Sequence, residues 1–229
     1  MEVDPAASIV MVFVELYIFG MLKDESYFRE KLKRIKGTDV NFGGWITSRD
    51  RRFLVEFLQL IDIKNPTLVE IGTFMGGTAT IFLTILDDCK LIAIDNWSEG
   101  PYEPFASLKE AFEHHMRCFI EQGRVEVIDG DSRDIGRNWN RPIDLLYIDG
   151  DHSYEVCSAD IRNFTPWVRR GGYVFVDDYD VPAVRRAVDE LLLNNPDYLL
   201  MRMPQIDKPS PEDEKLIVFK RDQGEVTAH

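Results

Sequence analysis

Residues 68–80 read Leu-Val-Glu-Ile-Gly-Thr-Phe-Met-Gly-Gly-Thr-Ala-Thr. Leu68, Val69 and Ile71 make a short apolar run of the kind that forms a buried strand, with Glu70 near its end. Gly72, Gly76 and Gly77 then make a loop without bulky side chains, and residues 78–86 read as a helix. Strand, glycine loop and helix, in that order, form the cradle by which doubly wound α/β proteins hold a nucleotide or phosphate. The spacing narrows the ligand. A dinucleotide fingerprint is Gly-x-Gly-x-x-Gly, whereas here Gly72 is followed by Thr73 and the next glycines are Gly76 and Gly77. That departure disfavours NAD and favours a ligand with no pyrophosphate to grip. A tight β-α turn that binds nothing is the competing explanation of the stretch taken alone.

Outward from this stretch the alternation continues. Upstream, Phe53, Leu54, Phe57, Leu58 and Ile61 fall at helical spacing over residues 49–60, with Thr47 or Ser48 as cap and Asn65-Pro66 as stop. Downstream, strands are expected over 91–94, 125–128, 144–148 and 173–176, with helices over 107–121, 154–168 and 183–193. Two last strands, 198–203 and 216–219, flank a Pro-rich loop around 204–211. Repeated βα units closed by a hairpin-like pair predict an α/β fold: a doubly wound, mostly parallel, seven-stranded sheet.

The N-terminal region reads differently. Residues 9–22 are almost wholly apolar, but the run is fourteen residues long and carries Glu15. A membrane span needs about 20 apolar residues, and a secretory signal needs basic residues ahead of its apolar run, where this chain has Glu2 and Asp4. The run is expected to be a buried or oligomer-facing helix. Residues 24–36 read as a surface helix and 41–46, with Trp45, as a loop.

Composition sets outer limits. The 229 residues carry a formal charge of −13, which argues against a nucleic-acid partner, since phosphate backbones are held by Lys and Arg. A hydrophobic share of 45% is enough for an ordinary globular core. Cys89, Cys118 and Cys157 are odd in number, with no Cys-x-x-Cys pair, and read as reduced thiols of a cytoplasmic protein.

Ligands of such sheets bind beyond the carboxyl ends of the strands, and those ends are acidic here: Glu70, Asp95, Asp131, Asp149, Asp151, Asp177 and Asp178. Each alone reads as a helix cap or a solvated acid. Asp95, followed by Asn96, lies twenty-three positions after Gly72, the distance at which an acid bonds ribose hydroxyls. Asp131 and Ser132 are placed to meet an adenine edge.

The series Glu70-x-Gly72-x-x-x-Gly76, Asp95, Gly130-Asp131-Ser132 and Asp149 resembles the class I S-adenosylmethionine-dependent methyltransferases, over about residues 68–219. The run from Ile148 to Glu155 (Ile-Asp-Gly-Asp-His-Ser-Tyr-Glu), followed by Gly171-Gly172 and Asp177-Asp178-Tyr179, resembles more narrowly the bacterial small-molecule O-methyltransferases of the macrocin and aminocoumarin type. The resemblance implies a methyltransferase domain over 47–221; ahead of it residues 1–46, which match no family motif, are expected to be an N-terminal helical arm or lid serving as homo-oligomer contact, and the polar residues 222–229 are expected to be a disordered tail. It implies that Gly72, Thr73 and Gly76 approach the methionine part of the cofactor beside Glu70, that Thr78 bonds its carboxylate and that Asp95 and Asn96 hold the ribose. Asp131 and Ser132 would flank the adenine. Asp149, counted also with the cofactor residues, would bind a divalent metal, usually Mg²⁺, together with Asp177 and Asp178. Asp151 is the implied general base, with His152 as the other candidate.

Three carboxylates converging from neighbouring strand ends also repel one another unless a hard cation or protons neutralise them. Chelation would acidify a substrate hydroxyl, and a nearby base would take its proton as the oxygen attacks the sulfonium methyl. The expected reaction is therefore methyl transfer to a hydroxyl of a small molecule, a sugar or secondary metabolite. Two alternatives stay open: a metal-free methyltransferase using His152 or Asp151, and a cofactor-binding module that does not turn over. Trp45, Trp97, Tyr102 and Phe105 are candidates for lining the acceptor pocket.

Overall fold

The computed structural model describes Tyr27, Glu30, Lys31, residues 48–201 and residues 217–221. The helix expected over 9–22, the 41–46 loop, the 204–211 segment and the 222–229 tail lie outside the described residues. Tyr27, Glu30 and Lys31 are helical, within the surface helix expected over 24–36.

Seven strands form one mixed sheet in the order β3-β2-β1-β4-β5-β7-β6. They are β1 (Thr67–Ile71), β2 (Lys90–Asp95), β3 (Val125–Asp129), β4 (Ile143–Ile148), β5 (Val168–Val176), β6 (Tyr198–Met201) and β7 (Ile217–Arg221). β7 runs antiparallel to both β5 and β6, so the hairpin-like pair expected at the end of the chain is present. The chain divides into two compact units, one formed by residues 23–138 and the other containing residues 139–229.

The first unit carries β1, β2 and β3 in parallel register. Its helices are α1 (Ser48–Leu58), α2 (Gly77–Ile85), α3 (Leu108–His115), α4 (Arg117–Glu121) and α5 (Ser132–Arg137). Leu68 and Val69 on β1, Ile92 and Ala93 on β2, and Phe82, Phe112 and Phe119 on the helices are all essentially inaccessible. That apolar burial, at roughly 25 cal/mol per Å², is the main term holding the layers together. Arg124 closes the far end of α2: its Nε donates to Cys89 O at 3.0 Å, and one terminal nitrogen donates to Leu83 O and Leu86 O at 2.8 and 2.9 Å. Carbonyls left over at a helix end thereby gain partners.

Two boundaries differ from the sequence expectation. The helix expected over 107–121 is broken at Met116 (φ −91°, ψ 3°) into α3 and α4. The break sets Met116 against the glycine loop: a Cβ on Gly76 would lie 2.7 Å from Met116 Sδ. The second difference is α5, which periodicity misses because its six residues, Ser-Arg-Asp-Ile-Gly-Arg, have no apolar stripe.

In the second unit β4 pairs with β5 in parallel, and α6 (Tyr154–Phe164), a 3₁₀ turn (Thr165–Trp167), α7 (Pro182–Val188) and a π-helical turn (Asp189–Leu193) complete the described helical elements. The helix expected over 154–168 therefore ends earlier, and that over 183–193 changes to π geometry after Val188. β5 starts at Val168, earlier than expected, because Gly171 and Gly172 lie inside it. Between paired positions β5 advances from Val168 to Tyr173 while β4 advances only from Ile143 to Leu145. Gly172 makes that irregularity feasible, since a Cβ there would meet Asp144 O at 2.7 Å and Arg169 O at 2.9 Å. Glycine inside a strand marks such close backbone approach. Among the described residues no helix is long and apolar enough to cross a membrane.

Candidate active site

In the first unit the glycine loop leaves the end of β1. Gly72 and Gly76 have φ of 78° and 82°, and Phe74 between them also lies in the left-handed region, at 48°. Glu70 is buried beneath this loop, 1% exposed. It accepts a hydrogen bond from Thr73 Oγ1 at 2.6 Å. Burial pushes its pKa up to about 8, opposed by the Thr73 hydrogen bond, raised further by the neighbouring Asp95 charge and lowered by the Ala79 N–H. Glu70 thus ties strand to loop. Thr78 sits half-buried in the first turn of α2.

Asp95 ends β2. Its Oδ2 accepts from Phe74 N–H at 3.0 Å and its Oδ1 from Trp97 N–H at 2.9 Å. One carboxylate therefore gathers the tip of the glycine loop and the turn after β2, and burial raises its pKa against the pull of those two amides. Asn96 is exposed and accepts from Ser98 N–H at 3.0 Å. Trp97, at φ 52°, packs its ring on Phe112 with centroids 5.1 Å apart. Its indole N–H is buried and makes no hydrogen bond. Tyr102 meets Phe74 edge-on at 5.2 Å, and Phe105 packs against His114 at 5.0 Å; Trp45 lies outside the described residues.

Asp131 caps α5, accepting from Arg133 N–H at 2.9 Å. It is also held bidentately by the Arg133 guanidinium, at 2.9 Å to Nε and 2.5 Å to the terminal nitrogen. That guanidinium holds the carboxyl down at about 2. Ser132, half-buried, begins the helix.

The second unit gathers the remaining acids. Asp149 follows β4, Asp178 follows β5, and His152 lies just before α6. These three offer ligand atoms that all lie within 4.8 Å of one another, and His152 Nε2 is 2.7 Å from Asp178 Oδ2. Asp177 stands apart from them. It is 6% exposed, accepting from Tyr147 Oη at 2.8 Å through Oδ2 and from Asp178 N–H at 2.8 Å through Oδ1. Asp178 itself has a left-handed φ of 54°, a conformation that costs a non-glycine residue of order 1 kcal/mol or more and persists where its surroundings hold it. Asp151 is exposed and accepts from Ser153 N–H at 2.8 Å, and Ser153 in turn caps α6.

Tyr147 was not legible as a site residue, although a tyrosine in a wholly buried strand demands a partner for its hydroxyl. Two more tyrosines brace the cluster. Tyr154 Oη donates to Glu190 Oε2 at 2.5 Å with Arg186 over its ring, and Tyr179 Oη donates to Asp189 Oδ1 at 2.8 Å with Arg185 over its ring.

A sheet of this order with an acid at the end of β2 and a glycine loop after β1 defines a class: the chain belongs to the class I S-adenosylmethionine-dependent methyltransferases. Residues 69–179 match the family model described as a methyltransferase domain. An uncharacterized protein, R132, of Acanthamoeba polyphaga mimivirus is 31% identical over 160 residues, 62% of this chain and 70% of that protein. CalS11, described as a TDP-rhamnose 3′-O-methyltransferase of calicheamicin biosynthesis, shares the fold with a TM-score of 0.56 at 17% identity, over 96% of each chain. The O-methyltransferase NovP shares it at 0.53 and 23% identity, over 76% of this chain and 78% of its own. Two rRNA methylases have the same fold, so the fold alone does not choose the acceptor.

The residues of the first unit fit an adenosyl cofactor: Gly72 and Gly76 hold the loop in a left-handed course that a side chain would strain, and the Asp95 carboxylate fixes the loop tip at the end of β2.

Proposed function

We propose that this methyltransferase transfers a methyl group to a hydroxyl of a small molecule, with a divalent cation, Mg²⁺ on the family resemblance, at the strand-end acids. The convergence of Asp149, His152 and Asp178 carries the reading. CalS11 supports the small-molecule class by its described substrate, and the charge of −13 weighs against an RNA acceptor.

S-adenosylmethionine supplies, when bound, an electrophilic methyl group on a sulfonium. Asp95 and Asn96 hold the ribose in this reading, the Gly72–Gly76 loop with Thr73 accommodates the methionine end, Thr78 meets its carboxylate, and Asp131 and Ser132 flank the adenine. Asp149, His152 and Asp178 would hold the cation, which would acidify a chelated pair of adjacent acceptor oxygens. Asp151, exposed beside the cluster, takes the proton of the attacking hydroxyl. Much of the acceleration would come from positioning and charge stabilisation. The region over 1–46 serves as lid and homo-oligomer contact, and the protein acts in the cytoplasm.

The test is transfer from methyl-labelled S-adenosylmethionine to a panel of vicinal diols, catechols and glycosides. Asp178→Ala is expected to abolish transfer and leave cofactor affinity, read by calorimetry, within about threefold of wild type. Undiminished turnover in EDTA would remove the cation from the reading. Failure of the folded protein to bind S-adenosylmethionine would remove the rest.

A further inference from the structure

The ligand set that the family resemblance implies is three carboxylates, Asp149, Asp177 and Asp178. The set this chain brings together is different. Asp177 and Asp178 are consecutive residues leaving β5, and the left-handed φ at Asp178 ends the extended course of the chain between them. Asp177 takes the inner side, where it is nine-tenths buried and both its oxygens serve protein donors, the Tyr147 hydroxyl and the Asp178 N–H. Asp178, turned by its left-handed φ, takes the outer side and meets His152. The third donor beside Asp149 and Asp178 is thus an imidazole nitrogen.

Donor chemistry then selects the ion. Mg²⁺ is bound through carboxylates, phosphates and waters in near-ideal octahedral geometry, whereas imidazole suits first-row transition ions. We infer that the Asp149–His152–Asp178 cluster is a centre for a nitrogen-accepting first-row divalent transition ion, with Mn²⁺ as its EPR-active probe, and that Tyr147 and Asp177 are positioning residues that set Asp178. The inference rests on the metal-assisted reading above and specifies its ligands.

Tyr147 and Asp177 act through the backbone. The Asp177 carboxylate accepts the N–H of the next residue, which fixes the peptide where the chain enters the left-handed region, and Tyr147 anchors that carboxylate to β4. Supporting hydrogen bonds of this kind typically contribute roughly 10–100-fold in metal affinity.

The test uses the full-length chain, titrated calorimetrically with MnCl₂ and MgCl₂, with pulsed EPR of the Mn²⁺ form read for histidine nitrogen coupling and checked by ¹⁵N-histidine labelling. Mn²⁺, the EPR-active probe, is expected to bind more tightly than Mg²⁺ and to show nitrogen coupling. His152→Ala, at a half-exposed position, removes the coupling and the preference for Mn²⁺. Asp177→Asn lowers affinity for both ions together and keeps the coupling. Mn²⁺ bound without nitrogen coupling, or a preference unchanged by His152→Ala, overturns the inference and leaves a three-carboxylate Mg²⁺ site standing. If neither ion binds, the inference falls together with the metal-assisted reading.

Discussion

Glu70 offers the sharpest quantitative test, through Glu70→Gln. The carboxyl is 1% exposed, and its pKa rises from 4.5 to about 8 because burial disfavours the anion. Below pH 4.5 it is neutral in the folded and the unfolded chain. As pH rises further the unfolded chain releases the proton first, so the folded state binds more protons and stability falls until the folded carboxyl also ionises near pH 8. Each pH unit of that interval corresponds to about 1.4 kcal/mol, a ceiling near ~5 kcal/mol for the whole interval. Glutamine is nearly isosteric with the neutral acid, and its carbonyl still accepts from Thr73, so the variant keeps the low-pH stability and lacks the fall. Urea unfolding of both proteins at pH 5, 6.5 and 8.5 measures the difference. The variant is expected to gain at least ~2 kcal/mol on wild type between the first and last conditions. A difference constant to within about 0.5 kcal/mol, the scatter of such comparisons, would refute the account of Glu70 as an acid kept neutral by burial.

Further outcomes follow from the same unit. Gly76→Ala is expected to cost about 2–4 kcal/mol, the sum of a left-handed alanine at φ 82° and displacement of Met116. In a Met116→Ala background the added cost should shrink to the backbone part, about 1–2 kcal/mol, and a cost unchanged in urea unfolding would show that Met116 is not the obstacle. Arg124→Met, which keeps the aliphatic stem, should destabilise by about 3 kcal/mol because the carbonyls of Leu83, Leu86 and Cys89 lose a charged donor. A loss below about 0.5 kcal/mol by the same measurement would mean that water replaces the guanidinium there.

The sequence revealed the architecture where one residue type answered one demand. The apolar runs at 68–71, 91–94 and 144–148 located β1, β2 and β4 to within a residue or two, since strands buried on both faces have little other way to read. The strand expected over 173–176 starts instead at Val168, because glycine signals either a turn or a close backbone approach, and only the partner strand's Asp144 carbonyl beside Gly172 decides which. The six residues of α5 have one apolar side chain, Ile135, and so carry no period, and the break at Met116 answers to packing under Gly76, which no local pattern encodes. In the candidate site, the acids at strand ends were legible and their directions were not. Asp177-Asp178 reads as two equivalent ligands; the left-handed turn at Asp178 leaves Asp177 with Tyr147 and brings Asp178 to His152. The same limit applied to His152, readable as a base by its pKa class but as a cluster member only once the start of α6 is folded beside the end of β5.

The mooring of Tyr154 and Tyr179 has a mechanical consequence. Their partners, Glu190 and Asp189, are consecutive residues of the single π-helical turn after α7. Tyr154 lies two positions beyond His152 and Tyr179 one beyond Asp178, so both loops are tied to one small body that contributes no donor of its own. Both arms of the cluster, the one entering α6 and the one leaving β5, therefore share a single anchor, so that a displacement of that turn would reach the imidazole and the carboxylate together.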